Sequence, residues 1–199
     1  MRTVDPEKHA LRRANIVAAA AGEFAANGVD GTSTAAICRR AGIGSGTLFH
    51  YFPTKRDIFH AVFSDDFERS AAIYEEAVTA VRAEAGLELL VDHLVVSLAD
   101  PLAPGLMAAA VLQAYRDEEF GRLLAGDEAR LRAALTRLLE RMAADGRRLA
   151  FGPDRTARWI QRLFDASFLA IGDADCDPSV QATELRKTID WLTGRQGAR

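Results

Sequence analysis

The chain has 199 residues, of which 49% are hydrophobic and 27% charged, a composition that excludes wholesale disorder. Ala, Leu, Arg and Glu supply 92 residues, so strong helix formers dominate and an all-helical fold is predicted. Residues 1–56 carry eight basic and four acidic side chains, a balance of +4, whereas the remainder carries 17 and 24, a balance of −7. This asymmetry indicates a polyanion-binding module attached to a body with another role.

Several classes of protein find no support in the sequence. The apolar run from Leu106 to Leu112 is far shorter than the roughly 20 residues that span a bilayer, so no membrane partner is expected. The polar N-terminus lacks the apolar segment of a signal peptide, which predicts a cytoplasmic protein. Cys38 and Cys176 support no disulfide framework. Because the histidines are scattered and no phosphate loop or nucleophile elbow occurs, we expect no catalytic residue, no metal and no cofactor.

The first predicted helix covers about residues 9–27. Ile16, Ala20 and Phe24 recur on one of its faces at helical spacing. Gly28 follows the last turn of this helix, and a glycine in that position is typical of a helix C-terminus.

Two short helices are predicted next. The first of them is about eight residues long, begins after the hydroxyl side chains of residues 32–34 and ends at Gly42. The other carries Leu48 and Phe52 on one face and is stopped by Pro53. Short helices joined by a tight, glycine-containing turn are typical of the helix-turn-helix motif.

A fourth helix is predicted to begin at Thr54, which caps it, with Asp57 in its third position, and to extend to Glu84. Further helices are predicted at 87–99, 105–117, 127–145, 154–171 and 179–193. No stretch alternates apolar and polar residues as a strand would. The predicted fold is therefore all-α, with an N-terminal helix-turn-helix domain of three helices and a C-terminal helical domain.

Residues 32–55 read TSTAAICRRAGIGSGTLFHYFPTK, and this segment resembles the DNA-binding region of TetR-family transcriptional regulators. The resemblance covers about the first 60 residues and includes the preceding helix with Phe24 and Gly28. It implies a homodimer that represses transcription and leaves its operator when a small molecule binds. It also implies a DNA-binding domain at residues 1–53 and an effector-binding and dimerisation domain at 54–199.

The residue types of this segment suit DNA recognition independently of the resemblance. A recognition helix enters the roughly 12 Å wide major groove when its outward side chains are polar or aromatic. Gly46 would let the DNA backbone approach, Thr47 would meet a base edge or a thymine methyl group, and Lys55 would bind a phosphate at a helix start. The predicted DNA-binding residues are Thr32, Ser33, Thr34, Ser45, Gly46, Thr47, Phe49, His50, Tyr51 and Lys55.

Residues 44–49 read GSGTLF where TetR-family relatives often have SKGTLY. The recognition helix therefore lacks one cation and one phenol. This departure predicts greater reliance on other cations, namely Lys55, Arg12, Arg13, Arg39 and Arg40. Arg39 and Arg40 fit a solvated helix face equally well.

The C-terminal body carries large side chains on several helices, most of which suit a core. An apolar pocket with a few polar groups would bind the effector, and its candidate residues are His93, Met107, Tyr115 and Trp159. The acidic run at residues 117–119 is interpreted as a solvated helix end. Asp173, Asp175, Asp177 and Glu184 match a calcium loop in spacing, but Pro178 stands where that loop needs glycine, so a plain acidic loop is favoured.

Two apolar stripes would pack either inward or in a dimer interface. Ile160, Phe164 and Ile171 form one, and Leu185, Ile189 and Leu192 form the other. The TetR resemblance implies an isologous four-helix interface built from two such helices of each subunit.

The function predicted from the sequence is that of a homodimeric repressor released from a palindromic operator by a small molecule. One alternative keeps the DNA-binding head and makes the chain an activator or a ligand-independent regulator. The other, from a different class, is a helical small-molecule carrier or enzyme.

Overall fold

The computed structural model describes residues 5–170, without the side chain of Leu169, and residues 177–195. Within these ranges the chain forms nine α-helices and no strand, which confirms the predicted fold class. The helices are α1 (Pro6–Gly31), α2 (Thr34–Ala41), α3 (Ser45–Tyr51), α4 (Lys55–Thr79), α5 (Ala83–Leu98), α6 (Ala103–Ala114), α7 (Glu118–Ala144), α8 (Pro153–Ala170) and α9 (Pro178–Leu192).

The chain divides into two compact units. We call the unit of Met1–Phe67 and Gly105–Gly121 the head, and the unit of Glu68–Pro104 and Arg122–Arg199 the body. This division differs from the boundary that the sequence suggests after residue 53. The reason is that the first turns of α4, most of α6 and the start of α7 pack into the core of the N-terminal helices.

Side chains that satisfy the terminal N–H and C=O groups set the ends of the helices in the head. The Ser33 hydroxyl accepts the Ala36 N–H at 3.1 Å, which starts α2. Gly42 has a φ of 65°, a left-handed conformation that favours glycine, and it ends α2. Thr54 and Asp57 cap α4 reciprocally, because each side chain accepts the backbone N–H of the other. The predicted cap of α4 is therefore confirmed.

The core of the head is aromatic at its centre. Phe59 packs against Phe24 with ring centroids 5.1 Å apart and against Phe120 at 4.8 Å. These contacts join α1, α4 and α7, and edge-to-face or tilted pairs of this kind add stabilisation beyond their buried area. Helix α6 approaches α1 closely at Gly105, where a Cβ atom would overlap the carbonyl oxygen of Ala25. This close approach explains why α6 belongs to the head.

The body buries the apolar stripe of α9 and part of the stripe of α8, for both of which the sequence allows packing inward or in a dimer interface. Ile160 of α8 and Leu185, Ile189 and Leu192 of α9 are buried within the single chain, and Phe164 is half-buried. Helices α5, α8 and α9 contact one another. Ile171 lies outside the described residues, so its place in the first stripe stays a prediction. The opposite faces of α8 and α9 are the exposed ones.

The largest differences from the predicted helix boundaries are at the end of α4 and the start of α7. Helix α4 ends at Thr79, five residues before Glu84, and α7 begins at Glu118 instead of residue 127. Gly126, which directly precedes the predicted start at residue 127, lies on an exposed face inside α7, where a glycine costs only about 1 kcal/mol. Asp117 starts α7, because its Oδ1 accepts the N–H groups of Glu119 and Phe120 at 3.1 Å each.

Among the described residues, no single helix has the length and apolar composition to cross a membrane. The consecutive helices α5 and α6, which a break separates, pass such a test as a pair. Asp173 and Asp175 of the calcium-like spacing lie outside the described ranges, and Asp177 caps α9 by accepting the Ser179 N–H at 2.8 Å. Elsewhere in the described ranges, no group of three or more His, Cys, Asp or Glu side chains could hold a metal ion.

Candidate nucleic-acid interface

Helices α2 and α3 form a helix-turn-helix hairpin packed on α1. The Ile43 N–H donates to the Cys38 carbonyl at 3.0 Å, which closes the turn after the left-handed Gly42. Ile37 of α2 and Leu48 of α3 are fully buried, so they anchor the two helices on the core of the head. Because each short helix packs on the core through one side only, the opposite side of α3 lies in solvent.

The outward side of α3 carries the side chains that the sequence predicts there. Ser45, Gly46, Thr47 and His50 are exposed, Phe49 is 48% exposed, and Tyr51 is half-buried (the predicted contacts on α3 are Ser45, Gly46, Thr47, Phe49, His50 and Tyr51). A Cβ atom at Gly46 would meet nothing within 4 Å, so space for a close backbone approach exists there. The outward side of α3 is thus exposed to solvent, as a recognition helix requires. Contact of these side chains with DNA stays a prediction.

An aromatic cluster at the end of α3 includes a residue that the sequence analysis missed. His9 of α1 lies with its ring centroid 4.5 Å from that of Tyr51, at an interplanar angle of 33°. His50 contacts the same Tyr51 ring edge-on, with centroids 5.5 Å apart. No pattern in the sequence links His9 to Tyr51, because they lie on different helices and meet only when α1 and α3 pack.

Two predicted phosphate contacts, those of Thr32 and Lys55, have internal partners. Thr32 is buried, and its hydroxyl lies 2.7 Å from the Gly28 carbonyl and 3.0 Å from that of Glu23, a burial incompatible with the predicted DNA contact. The Lys55 ammonium donates to the Val29 carbonyl at 2.5 Å and to that of Thr32 at 2.7 Å. It therefore satisfies carbonyl groups at the end of α1 instead of pointing freely to solvent.

The other two hydroxyl residues of this segment keep more access. Ser33 is exposed, although its hydroxyl already accepts a backbone N–H, and Thr34 is half-buried. A phosphate contact from either side chain stays a prediction.

The cations of the head divide into paired and unpaired groups. Arg13 donates to both carboxylate oxygens of Asp65, at 2.5 and 3.1 Å, and Arg40 pairs with Glu23 at 3.3 Å. The side chains of Arg12 and Arg39 are exposed and have no hydrogen bond or ion pair to any described residue. Unpaired guanidinium groups are free to neutralise phosphates, so Arg12 and Arg39 are the better candidates for that role.

An ion-pair cluster at Asp117 joins α4 to the start of α7. Asp117 Oδ2 accepts from Arg56 Nε at 2.6 Å and lies 2.8 Å from His60 Nε2, while Oδ1 accepts from Arg56 Nη2 at 2.7 Å. The hydrogen bonds from Arg56, together with that from His60, hold the pKa of Asp117 well below its usual value. The interpretation of residues 117–119 as a solvated helix end is wrong for Asp117, which is buried.

The candidate effector residues do not share one site within a unit. Met107 and Tyr115 belong to the head, and His93 and Trp159 belong to the body. Tyr115 is 88% exposed and Trp159 is 38% exposed, whereas His93 and Met107 are half-buried. His93 Nε2 lies 3.0 Å from the hydroxyl of the buried Ser70, so this pair is the best-enclosed polar group among the candidates.

A shallow cleft in the head has a volume of about 110 Å³. Its wall combines the end of α1 with one side of α6, and none of the four candidate effector residues lines it (Asn27, Gly28, Val29, Asp30, Ala109, Leu112, Gln113 and Arg116). The volume is well below the 300–1,000 Å³ or so that is typical of pockets for drug-sized ligands. Effector binding at any of the four candidate residues stays a prediction.

Comparison with known proteins identifies the N-terminal region. A sequence model described as "Bacterial regulatory proteins, tetR family" matches residues 16–62. The HTH-type transcriptional regulator UidR of Escherichia coli K12 is 33% identical over 86 residues, which is 43% of this chain and 40% of UidR. The match thus spans less than half of the length of this curated relative.

Solved structures extend the likeness to the whole fold. Salmonella enterica GusR superposes with a TM-score of 0.68 at 23% identity, covering 92% of this chain and 95% of that chain. A TetR transcription regulator from Haloarcula marismortui gives a TM-score of 0.79 at 19% identity, covering 94% and 98%. The helix-turn-helix region at residues 16–62 thus belongs to the tetR family of bacterial regulatory proteins.

Proposed function

We propose that the chain is a DNA-binding transcriptional regulator that acts as a homodimeric repressor on palindromic operator DNA and is released by a small molecule. The observation that carries this proposal is the exposed, polar and aromatic outward side of α3, anchored on the head by Leu48. A helix presented in this way inserts into the major groove and reads base edges with its outward side chains.

In this proposal the contacts with DNA have different roles. Thr47, near the start of α3, meets a base edge, and Gly46 lets the backbone approach. His50 and Tyr51 donate to phosphates, which positions the helix without reading sequence. Arg12 and Arg39 supply the charge that the recognition helix lacks, because they are exposed and have no partner in the described part of the chain.

The second copy of the chain would bind the exposed faces of α8 and α9. Trp191 is 59% exposed, and Val180 and Trp159 also face solvent. Exposed tryptophans are frequent anchors of protein interfaces, since a large rigid surface is buried at small entropic cost. An isologous interface would place two heads 34–36 Å or so apart, one turn of DNA, or a multiple of that distance.

Release by a ligand would act through helices that pass from one unit to the other. Helices α4 and α7 both begin in the head and end in the body, and the Asp117 cluster joins their first turns. A ligand that binds better to the conformation in which the heads do not fit the grooves lowers operator affinity by the ratio of its affinities for the two states. Because the proposed partner is chromosomal DNA, this role places the protein in the cytoplasm.

Selection of duplexes from a random DNA library by the full-length chain tests the proposal, followed by gel-shift titration of the selected and scrambled sequences. We expect a palindromic selected sequence and binding at least about 10³-fold tighter than to the scrambled duplex. A carrier or an enzyme would retard both duplexes weakly and equally, a result that contradicts the proposal. Native mass spectrometry of the purified protein then tests for a bound small molecule, and adding that molecule should release the duplex from a repressor.

A further inference from the structure

His9 of α1 is exposed to solvent and contacts the end of the recognition helix α3. It is the fourth residue of α1, and its ring packs at a tilt against that of Tyr51, the last residue of α3. His50 completes the cluster, with its centroid 5.5 Å from that of Tyr51 and 6.5 Å from that of His9. Two imidazoles and a phenol therefore lie together at the end of the recognition helix.

We propose that His9 is a further DNA-backbone-binding residue, held in place by Tyr51, and that its imidazole takes up a proton when the head binds DNA. The inference rests on the proposed DNA-binding function and deepens it, because it adds a contact from α1 and a dependence on pH. Its ligand is a phosphate of duplex DNA, which accepts a hydrogen bond from the imidazolium N–H.

The charges around His9 explain why DNA would change its protonation. Along α1 the charged residues nearest to His9 in sequence are Asp5, Glu7, Lys8, Arg12 and Arg13, and its ring contacts those of His50 and Tyr51 on α3. Asp5 caps α1 and pairs with Lys8, Arg13 pairs with Asp65 of α4, and Glu7 is exposed. The exposed Arg12, one turn along from His9, is left without a partner among the described residues.

In the free protein the His9 side chain has no hydrogen bond or ion pair to a described residue. A DNA phosphate would shift the imidazole towards its protonated form, because an opposite charge within hydrogen-bond distance favours the charged ring. Binding measured at several pH values between 6 and 8 tests the uptake, because histidine side chains are the usual proton carriers near neutral pH. By linkage, affinity then rises as the pH falls.

The phenylalanine substitution His9→Phe separates the proposed role from a structural one. Phenylalanine keeps the ring contact with Tyr51 but carries neither a proton nor a hydrogen-bond donor. Its matched polar counterpart, His9→Gln, keeps a donor and loses the titration. Glu88→Gln, at an exposed position on α5 in the body, serves as the control variant.

The test measures fluorescence anisotropy of the full-length proteins on a duplex selected by the wild type, at pH 6 and pH 8 and constant ionic strength. We expect wild type and Glu88→Gln to bind roughly tenfold tighter at pH 6 than at pH 8, and both His9 variants to lose several-fold of that ratio. At pH 6 the slope of log affinity against log salt should fall by about 0.9 in His9→Phe, one phosphate contact. Circular dichroism confirms that each variant is folded.

An unchanged pH ratio in both His9 variants would overturn the inference while the proposed function stands. A uniform weakening at every pH, with the ratio and the salt slope intact, would also overturn it, since His9 would then only support Tyr51. Failure of the wild type to bind any duplex would reject the proposed function and the inference together.

Discussion

Among the charged residues described in the head, Asp117 is predicted to cause the largest loss of unfolding free energy when it is substituted. Its side chain is 5% exposed, accepts hydrogen bonds from Arg56 Nε and Nη2 and caps α7. Asp117→Ala therefore removes a helix cap and the contacts with Arg56 Nε and His60 Nε2, while Arg56 Nη2 keeps its hydrogen bond to Glu119. The lost cap costs about 1 kcal/mol. Removing one member of a fully buried pair costs about 3–5 kcal/mol, a value reduced here because Arg56 is half-exposed and can regain water. The expected loss is about 3 kcal/mol.

Glu119→Gln is the matched control for this change. Glu119 also pairs with Arg56, at 2.8 Å, but its side chain is 59% exposed. Exposed pairs contribute about 0–1 kcal/mol, so the two carboxylates that share one arginine should differ severalfold in their effect. Chemical denaturation followed by circular dichroism, at one protein concentration, measures both free energies of unfolding. For a chain of this length, Asp117→Ala should lower Tm by roughly 6–12 °C.

The stabilisation by Asp117 is also predicted to depend on pH, and the lowered pKa gives the direction of that dependence. Because the pKa of Asp117 is lowered by folding, its stabilisation is fully present above the unfolded value near 4 and is lost as the pH falls below it. The difference in unfolding free energy between wild type and Asp117→Asn should therefore be constant from about pH 5 to 7 and should shrink at lower pH. Equal losses for Asp117→Ala and Glu119→Gln, or a difference between wild type and Asp117→Asn that does not shrink below about pH 4, would refute the reasoning.

Three further predictions concern packing, assembly and recognition. Gly105→Ala should destabilise the chain by about 1–3 kcal/mol in thermal or chemical denaturation, since its Cβ would overlap the Ala25 carbonyl; unchanged stability would mean that α6 packs less closely. Trp191→Ala should weaken the dimer at least about tenfold in analytical ultracentrifugation, and an unchanged dissociation constant would exclude this face. Thr47→Ala should alter base preference in a repeated selection, whereas Arg39→Ala should weaken selected and scrambled duplexes alike; the reverse pattern would exchange their roles.

The parts of the fold that could be predicted from sequence are those that local interactions determine. The α2–α3 hairpin follows from a capping serine, the left-handed Gly42 and the buried Leu48, all within 16 residues of one another. The Thr54–Asp57 cap has the same local character. In these cases both partners of the interaction lie in one short segment of the sequence, so the pattern of residues predicts the contact.

The parts that sequence reasoning missed depend on distant partners. The sequence indicates a solvated acid at Asp117, because Arg56, its partner, lies 61 residues away. For Lys55 the sequence predicts a phosphate contact and gives no sign of the carbonyl groups at the end of α1, which become its neighbours only in the folded head. The sequence gives no signal for His9, since its ring meets that of Tyr51 only when α1 and α3 are packed. Tertiary contact, not local propensity, decides what these side chains do.

Hydroxyl-radical footprinting of side chains, with and without the selected duplex, tests most directly whether α3 enters DNA. Phe49, His50 and Tyr51 are reactive rings on its outward side, and Tyr115, which is 88% exposed and lies outside the hairpin, is the internal reference. We expect the three rings of α3 to lose most of their reactivity when the duplex binds, while Tyr115 stays unchanged. Bound duplex with undiminished reactivity on α3 would contradict the central claim.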